Sequence, residues 1–461
     1  STLRGRGYAK ARFIRCDARW IHEAGASEAQ ELAYALACGL SYLKALNERG
    51  SSLHDARRAL SFMLVADADE FMTVAKFRAM RKLWARLEDA CGLAPQPIRL
   101  QAETAWRALT KRDPHTNMLR ATIATFSAGI GGADGVTVLP FSSAIGLADE
   151  FARRAARNAQ LILIEESNLA KVADPAAGAG GFEALTDELC ETAWSLFQDI
   201  EREGGLTQSL IAGKLQTRIA EVRIAREKAI ATRRTPITGS SEFPNINETT
   251  VATLAVDKPG ERVKTNGRLP GDRIDFSGMI EKFRDGLARG AMSAATQDGE
   301  RCEPFPSHRL TEPYEALRDH SDTLLEKTGH RPRIFLANLG SIAAFTARTM
   351  FAKNFFEAGG VETIGNDGFA EEDGATDLVA LTDAFKRSGA KLTCICGSDD
   401  IYHREATDAA MALAASGAAA IYLAGKPADL EAALHAAGVS RFIHLGCDAV
   451  AILSDAQSAV D

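Results

Sequence analysis

The chain has 461 residues, of which 46% are hydrophobic and 25% charged, with a formal net charge of -7. That length holds two or three domains with buried cores, and that composition excludes a disordered chain. No apolar run reaches membrane-spanning length, and the acidic balance argues against nucleic acid as the main partner, which would need clustered excess Lys and Arg.

From the start to about residue 231, short apolar runs alternate with long helical stretches. The strand candidates are ARFIRC (11–16), ALSFMLVAD (59–67), PIRLQAE (97–103) and DGVTVLPF (134–141). Each is followed by a segment of helical period, such as SEAQELAYALACGLSYLKALNERG or EFMTVAKFRAMRKLWARLEDACG, so the natural reading is a run of βα units with parallel strands. Helical segments at 184–203 and 206–231 follow, the second heavily charged and expected to be a solvated helix at the domain edge. Residues 232–330 are rich in Pro, Gly and Asn and read as a connecting belt with one or two helices, the clearest being FSGMIEKFRDGLARGAMSAA. Residues 331–461 then give five β/α alternations, on RIFLAN, VETIG, KLTCIC, AAIYLAG and RFIHLG. That pattern predicts a flavodoxin-like, doubly wound domain with a ligand crevice at the carboxyl ends of its strands. The stretch IFLANLGSIAAFTARTMFAKNFFEAGG lies at that crevice, yet Ser341 to Phe345 offer almost no chemistry.

Spacing alone identifies no catalytic set. AGIGGADG (128–135) and DPAAGAGG (174–181) do not stand between a strand and a helix in a phosphate-binding pattern, so turn glycines are expected. The histidines show no metal-ligand spacing, and surface or capping roles are expected for each, with only His22 and His115 in motif-like surroundings. The carboxylate pairs Glu165-Glu166 and Asp399-Asp400 follow expected strand ends, where proton transfer and helix capping are both open to them. Cys394 and Cys396 alternate onto one sheet face with no second pair to complete a zinc site, and the scattered cysteines read as buried free thiols of a cytoplasmic protein. STLRGRGYAKARFIRC shows no signal-peptide pattern.

Three stretches carry more information. HEAGASEAQELAYALACGLSYLKA (22–45), RDPHTNMLRATIATFSAGIGG (112–132) and ARNAQLILIEESNLAKVADP (156–175) resemble the acyl-CoA mutase barrel of the methylmalonyl-CoA mutase family, with FMTVAKFRAMRKLWA (71–85) between them in the expected order. RPRIFLANLG onward resembles the cobalamin-binding domain of the same family. The resemblance implies an α/β chain made of the C-terminal half of a (β/α)8 TIM barrel over residues 1–231, a belt over 232–330, and a flavodoxin-like, degenerate cobalamin-binding domain over 331–461. Only the last four of eight barrel strands precede the belt, so the other half is expected upstream of Ser1.

The departures from the family pattern are read as chemistry. Cobalamin-holding members carry a D-x-H-x-x-G loop after the first strand of that domain, whose His ligates cobalt; aligned from Gly340, this chain has Ile342, Ala344 and Ala347. A methyl group has no lone pair for a metal, and Ile342 cannot orient a ligand. Loops CGSDDIY (396–402) and AGKP (424–427) replace the small-residue loops that contact the nucleotide tail. In the barrel, an active-site Tyr-His pair is expected to end a strand where this chain has Arg19 and Trp20. The H-C-Q-T-S-G strand end is here Gln101, Ala102, Glu103, Thr104, Ala105 and Trp106. Trp cannot shuttle protons as imidazole does, and its bulk is expected to fill substrate space.

These departures resemble the non-catalytic small subunits of heterodimeric members of the family. They imply a chain with no catalytic, cofactor or metal residues of its own, paired with a catalytic large subunit that holds adenosylcobalamin and interconverts methylmalonyl-CoA and succinyl-CoA. Whether acyl-CoA enters the barrel stays open. The alternatives are a divergent acyl-CoA mutase that binds cobalamin without a protein His ligand, and a free-standing regulatory pseudo-enzyme.

Overall fold

The computed structural model describes residues 11–255, 300–372 and 374–460. Two parallel sheets organise it, one of four strands and one of five.

The first sheet has strands β1 (Ile14–Asp17), β2 (Leu60–Ala66), β3 (Leu100–Thr104) and β4 (Gly135–Thr137), side by side in chain order. All three pairings are parallel, with Cys16 opposite Phe62, Leu64 opposite Ala102 and Glu103 opposite Thr137. Between them run helices α1 (Arg19–Glu23), α2 (Glu28–Glu48), α3 (Leu53–Ala59), α4 (Glu70–Ala90) and α5 (Thr116–Ile130). Helix α2 starts on a capping box, in which Ser27 and Gln30 each accept the other's backbone N–H. Alternation divides the strand side chains: Leu60, Phe62, Leu64, Leu100 and Ala102 join Leu36, Phe77 and Trp84 in one core under the helices. Ser61, Met63, Val65, Gln101 and Glu103 fall on the other face.

After β4 come α6 (Glu150–Leu161), α7 (Gly180–Arg202), α8 (Leu206–Ile211) and α9 (Lys214–Ala231). The helix expected over 206–231 is therefore two, because Gly213 takes a left-handed φ of +72° that breaks the ladder. The helix expected at 276–295 lies outside the described residues. Helix α10 (Glu312–Thr328) closes the belt, and its buried Tyr314 donates to the Ile230 carbonyl of α9 at 3.3 Å.

The second sheet holds β5 (Arg333–Asn338), β6 (Glu362–Ile364), β7 (Leu392–Cys396), β8 (Ala420–Ala424) and β9 (Val439–Ile443), in the order β6-β5-β7-β8-β9, all parallel. Helices α11 (Ile342–Ala358), α12 (Leu378–Ser388), α13 (Thr407–Ala415), α14 (Glu431–Ala436) and α15 (Ala449–Ser458) cover both faces. Ile334, Leu336, Cys394, Cys396 and Tyr422 pack with α11 and α15, whereas Phe335, Ala337, Ile395 and Leu423 pack with α12 and α13. The five strands fall where expected except the last: RFIHLG begins inside β9, which starts at Val439 straight after Gly438 (φ +105°). Among the described residues no helix is long and apolar enough to cross a membrane.

Candidate functional site

Both sheets end at their carboxyl edges in loops, the usual place for ligands in parallel α/β proteins. At the first sheet, Arg19 does not end a strand as expected. The strand stops at Asp17, and Arg19 and Trp20 stand on the short helix α1 behind it. From there the Arg19 guanidinium donates Nε to Asp17 Oδ1 at 2.9 Å and Nη2 to Asp17 Oδ2 at 2.7 Å. Its Nη1 reaches Glu103 Oε2 on β3 at 2.8 Å. The clamp thus spans β2, whose Met63 and Val65 on that face are buried.

The Asp17 hydrogen bonds foremost, helped by Glu103 against the cost of burial, raise Arg19 above the ordinary arginine range. A guanidinium held this way neither gives up nor takes a proton at any working pH. Gln101 shares the strand face with Glu103, two residues earlier. Trp20, expected to fill substrate space, is 61% exposed.

Behind this edge lies a buried set of charges that composition and spacing did not reveal. Lys76 Nζ of α4 and Glu31 Oε2 of α2 meet at 2.7 Å with both side chains at 0% exposure, and Glu31 Oε1 accepts the Val65 N–H of β2 at 2.7 Å. Arg107 donates to the carbonyls of His22 and Ala26 and to Asp67.

His22, for which a surface or capping role is expected, is fully buried, with Nε2 3.5 Å from Asp67 Oδ2. Burial first, then the Arg107 charge with help from Lys76, lowers its basicity, against Asp67 and Glu31, which raise it. Burial pushes Asp67 up, yet the His22 ring and the Arg107 guanidinium hold its carboxyl well below the usual range.

The signs give two pH windows. His22 stays neutral in the fold, so below its ordinary value of 6.5 the unfolded chain binds the extra proton and stability falls as pH drops. Asp67 contributes stability above its ordinary 3.8 that is lost only as pH falls below that value. In urea unfolding from about pH 7.5 to 5, the native chain should lose up to about 1.4 kcal/mol per pH unit from His22, and His22→Gln should flatten that slope. Parallel curves for the two proteins would contradict it.

His115 is the residue before α5 and stacks on Phe141 with ring centroids 5.1 Å apart. Glu165 and Glu166 lie in a helical turn after α6, not behind a strand. Gly131 ends α5 and Gly180 starts α7, so both glycine-rich pieces serve helix ends.

At the second sheet, Gly340 turns the chain after β5 with φ +72°, its N–H donating to Thr376 Oγ1 at 2.8 Å. Ile342 then stands 64% exposed on the first turn of α11, with Ala344 half-buried and Ala347 exposed beyond it. None of the three carries a lone pair for a metal, so these residues do not fit the cobalt of a cobalamin.

The space between the ends of β7 and β8 is taken by two side chains that sequence reasoning missed. Arg348 reaches from α11 to the Ala424 carbonyl at 2.6 Å and to Asp399 Oδ1 at 2.9 Å. Buried Tyr402 donates its hydroxyl to the same carbonyl at 2.7 Å and accepts the Gly397 N–H at 3.0 Å. The arginine lies over the tyrosine ring, 5.8 Å from its centroid. Gly425 makes room for it, since a Cβ there would lie 1.8 Å from Arg348 Nη1. The only available signal was position: Arg348 follows Ala344 by one helical turn, and Tyr402 closes the altered CGSDDIY loop.

Comparison with known proteins bears on both edges. Residues 6–271 match the family model described as methylmalonyl-CoA mutase. The methylmalonyl-CoA mutase small subunit of Streptomyces virginiae is 42% identical over 98% of this chain and 65% of its own length. That of Propionibacterium freudenreichii subsp. shermanii is 35% identical over 90% of this chain and 58% of its own. The methylmalonyl-CoA mutase of Cereibacter sphaeroides is 30% identical over 78% of this chain and 56% of its own. The chain therefore spans less than two thirds of the length of these relatives.

Proposed function

The chain belongs to the methylmalonyl-CoA mutase family, and we propose that it serves there as the catalytically silent small subunit of an adenosylcobalamin-dependent mutase, supporting a catalytic large subunit. The observation that carries this reading is the pair Arg348 and Tyr402, hydrogen-bonded to the end of β8 beside a helix start of Ile342, Ala343 and Ala344. A crevice filled in this way supports inherited architecture kept for shape. The Arg19 clamp supports the same reading at the other sheet, where its donors are spent on Asp17 and Glu103. In this reading the interconversion of methylmalonyl-CoA and succinyl-CoA, and the cofactor that makes it possible, belong to the partner.

The architecture proposed with it is half of a (β/α)8 barrel followed by a flavodoxin-like domain. Its support is the parallel first sheet, whose edges β1 and β4 carry no further strand among the described residues, and the five-strand order of the second. Beside β4 an apolar groove of about 310 Å³, lined by Met118, Ala121, Val138, Phe141 and Ile162, suits the helix of a neighbouring βα unit.

Coexpression of the complete polypeptide with a methylmalonyl-CoA mutase large subunit tests the assignment. Gel filtration should give a stable one-to-one complex. Elution of the two as separate species would sink the subunit reading and favour a free-standing protein.

A further inference from the structure

Residues 237–243, between α9 and α10, form a loop that is closed on itself and pinned to α11. Within it the Glu242 N–H donates to the Ile237 carbonyl at 3.1 Å, the Gly239 N–H to the Glu242 carbonyl at 2.7 Å, and the Ile237 N–H to Ser241 Oγ at 2.9 Å. Glu242 spends both carboxylate oxygens, one on Arg233 Nη2 and the other on Asn354 Nδ2 of α11. Asn354 Oδ1 in turn accepts the Phe243 N–H at 2.7 Å. Arg233 lies over the rings of Phe351 and Phe355, 5.6 and 5.7 Å from their centroids.

The residue held by these bonds is in a costly conformation. Phe243 has φ +51°, the left-handed region that bulky side chains avoid, and it precedes Pro244, which favours extended backbone at the position before it. Such strain persists only where the surroundings enforce it, and it concentrates at functional positions. The ring gives the fold little burial in return, since it is 76% exposed. Met350, one helical turn before Asn354 and so on the same face of α11, is 67% exposed. The outward charges beside the pair are positive. Arg234 is exposed with no carboxylate partner among the described residues, and exposed Lys353 reaches only Glu357, at 3.9 Å. Glu242, the one carboxylate of the loop, is spent inward.

We infer that Phe243 and Met350 anchor this chain on the large subunit, entering an apolar pocket that carries carboxylates on its rim. The inference rests on the subunit reading and adds the surface through which it works. Charge complementarity sets the partner's chemistry: an apolar knob with a basic rim is matched by an apolar pocket with an acidic one. Aromatic and methionine side chains are enriched in interfaces, and an aromatic anchor already fixed before binding loses little freedom on docking. The anchor stands on a helix of the second sheet, whereas the edges β1 and β4 that further barrel units would cover belong to the first.

The test uses the complete polypeptide and a methylmalonyl-CoA mutase large subunit. Phe243→Gly suits the left-handed φ, so the Tm of the free chain should hold or rise, while the Kd for the large subunit should rise about ten-fold or more. Met350→Asp should weaken the complex by a similar factor, and Val379→Asp, at an exposed position of α12, should leave it unchanged. Hydroxyl-radical footprinting should mark Phe243 and Met350 in the free chain and find both protected in the complex. If the unmodified chain forms no complex, the subunit reading fails and this inference with it. A complex that both anchor variants join with unchanged affinity overturns this inference alone. So does protection of both residues in the free chain, which assigns them to a contact within their own polypeptide. A lower Tm for Phe243→Gly with unchanged affinity likewise overturns it, because the ring then serves only its own fold.

Discussion

Lys76→Met should lower the stability of the first domain by about 3–5 kcal/mol, because it leaves Glu31 charged, wholly buried and without its counter-ion. The lysine and the glutamate are both at 0% exposure and 2.7 Å apart, so no water replaces the lost partner. The pair also sets geometry: Glu31 belongs to α2, Lys76 to α4, and the second carboxylate oxygen holds the Val65 N–H of β2. Adding Glu31→Gln to Lys76→Met should recover more than half of the loss, since the amide oxygen can still accept from Val65 and no charge stays buried. Chemical denaturation of the three proteins measures both numbers. A loss under about 1 kcal/mol for Lys76→Met would show that the site relaxes or hydrates, against the rigid charge set described here.

Restoring the family side-chain types at the first sheet should restore no activity to this chain alone. The variant combines Arg19→Tyr, Trp20→His, Gln101→His and Glu103→Gln. Its side chains would regain proton-transfer and hydrogen-bonding groups at the strand edge, and Asp17 would lose its bidentate partner. The second sheet is untouched by these changes: Ile342 and Ala344 still offer no metal donor, and Arg348 and Tyr402 still hold the end of β8. Positioned acid and base groups act only on a substrate whose difficult step is supplied, and under the proposed assignment the partner's cofactor supplies it. Assayed with methylmalonyl-CoA and added adenosylcobalamin but no large subunit, the quadruple variant should match the unmodified chain. Turnover above that background would require the silent assignment to be withdrawn. Ala344→His with Ile342→Asp should likewise give weak cobalamin binding at most, since a ligand needs its supporting shell and the filled strand ends remain.

How much of this was legible before the structure differs between the frame and the sites. The βα alternation located the strands because buried parallel strands are nearly continuous apolar runs, as in LSFMLVA and LTCIC. The expected strand at 134–141 shrank to three residues because the Leu139 N–H donates to Thr104 Oγ1 at 2.9 Å instead of extending the ladder. His22 was misplaced because a lone polar residue in a helical pattern says nothing of Arg107, which arrives from 85 positions away.

The same limit applies to the sites. Ile342 and Ala344 could be read directly, since the absence of a lone pair is a property of the residue. Arg19 and Glu103 could not be read as partners, nor Arg348 and Tyr402 as a filled crevice, because each depends on side chains brought together only by the folded sheets.

The most direct measurement is ultraviolet-visible titration of the complete polypeptide, free of any large subunit, with adenosylcobalamin. The account predicts no saturable spectral change, because the first turn of α11 after β5 carries Ile342 and Ala344 and the end of β8 is occupied by Arg348 and Tyr402. Tight binding with a stoichiometry of one cobalamin per chain would contradict it and establish a mutase that holds its cofactor without a protein histidine.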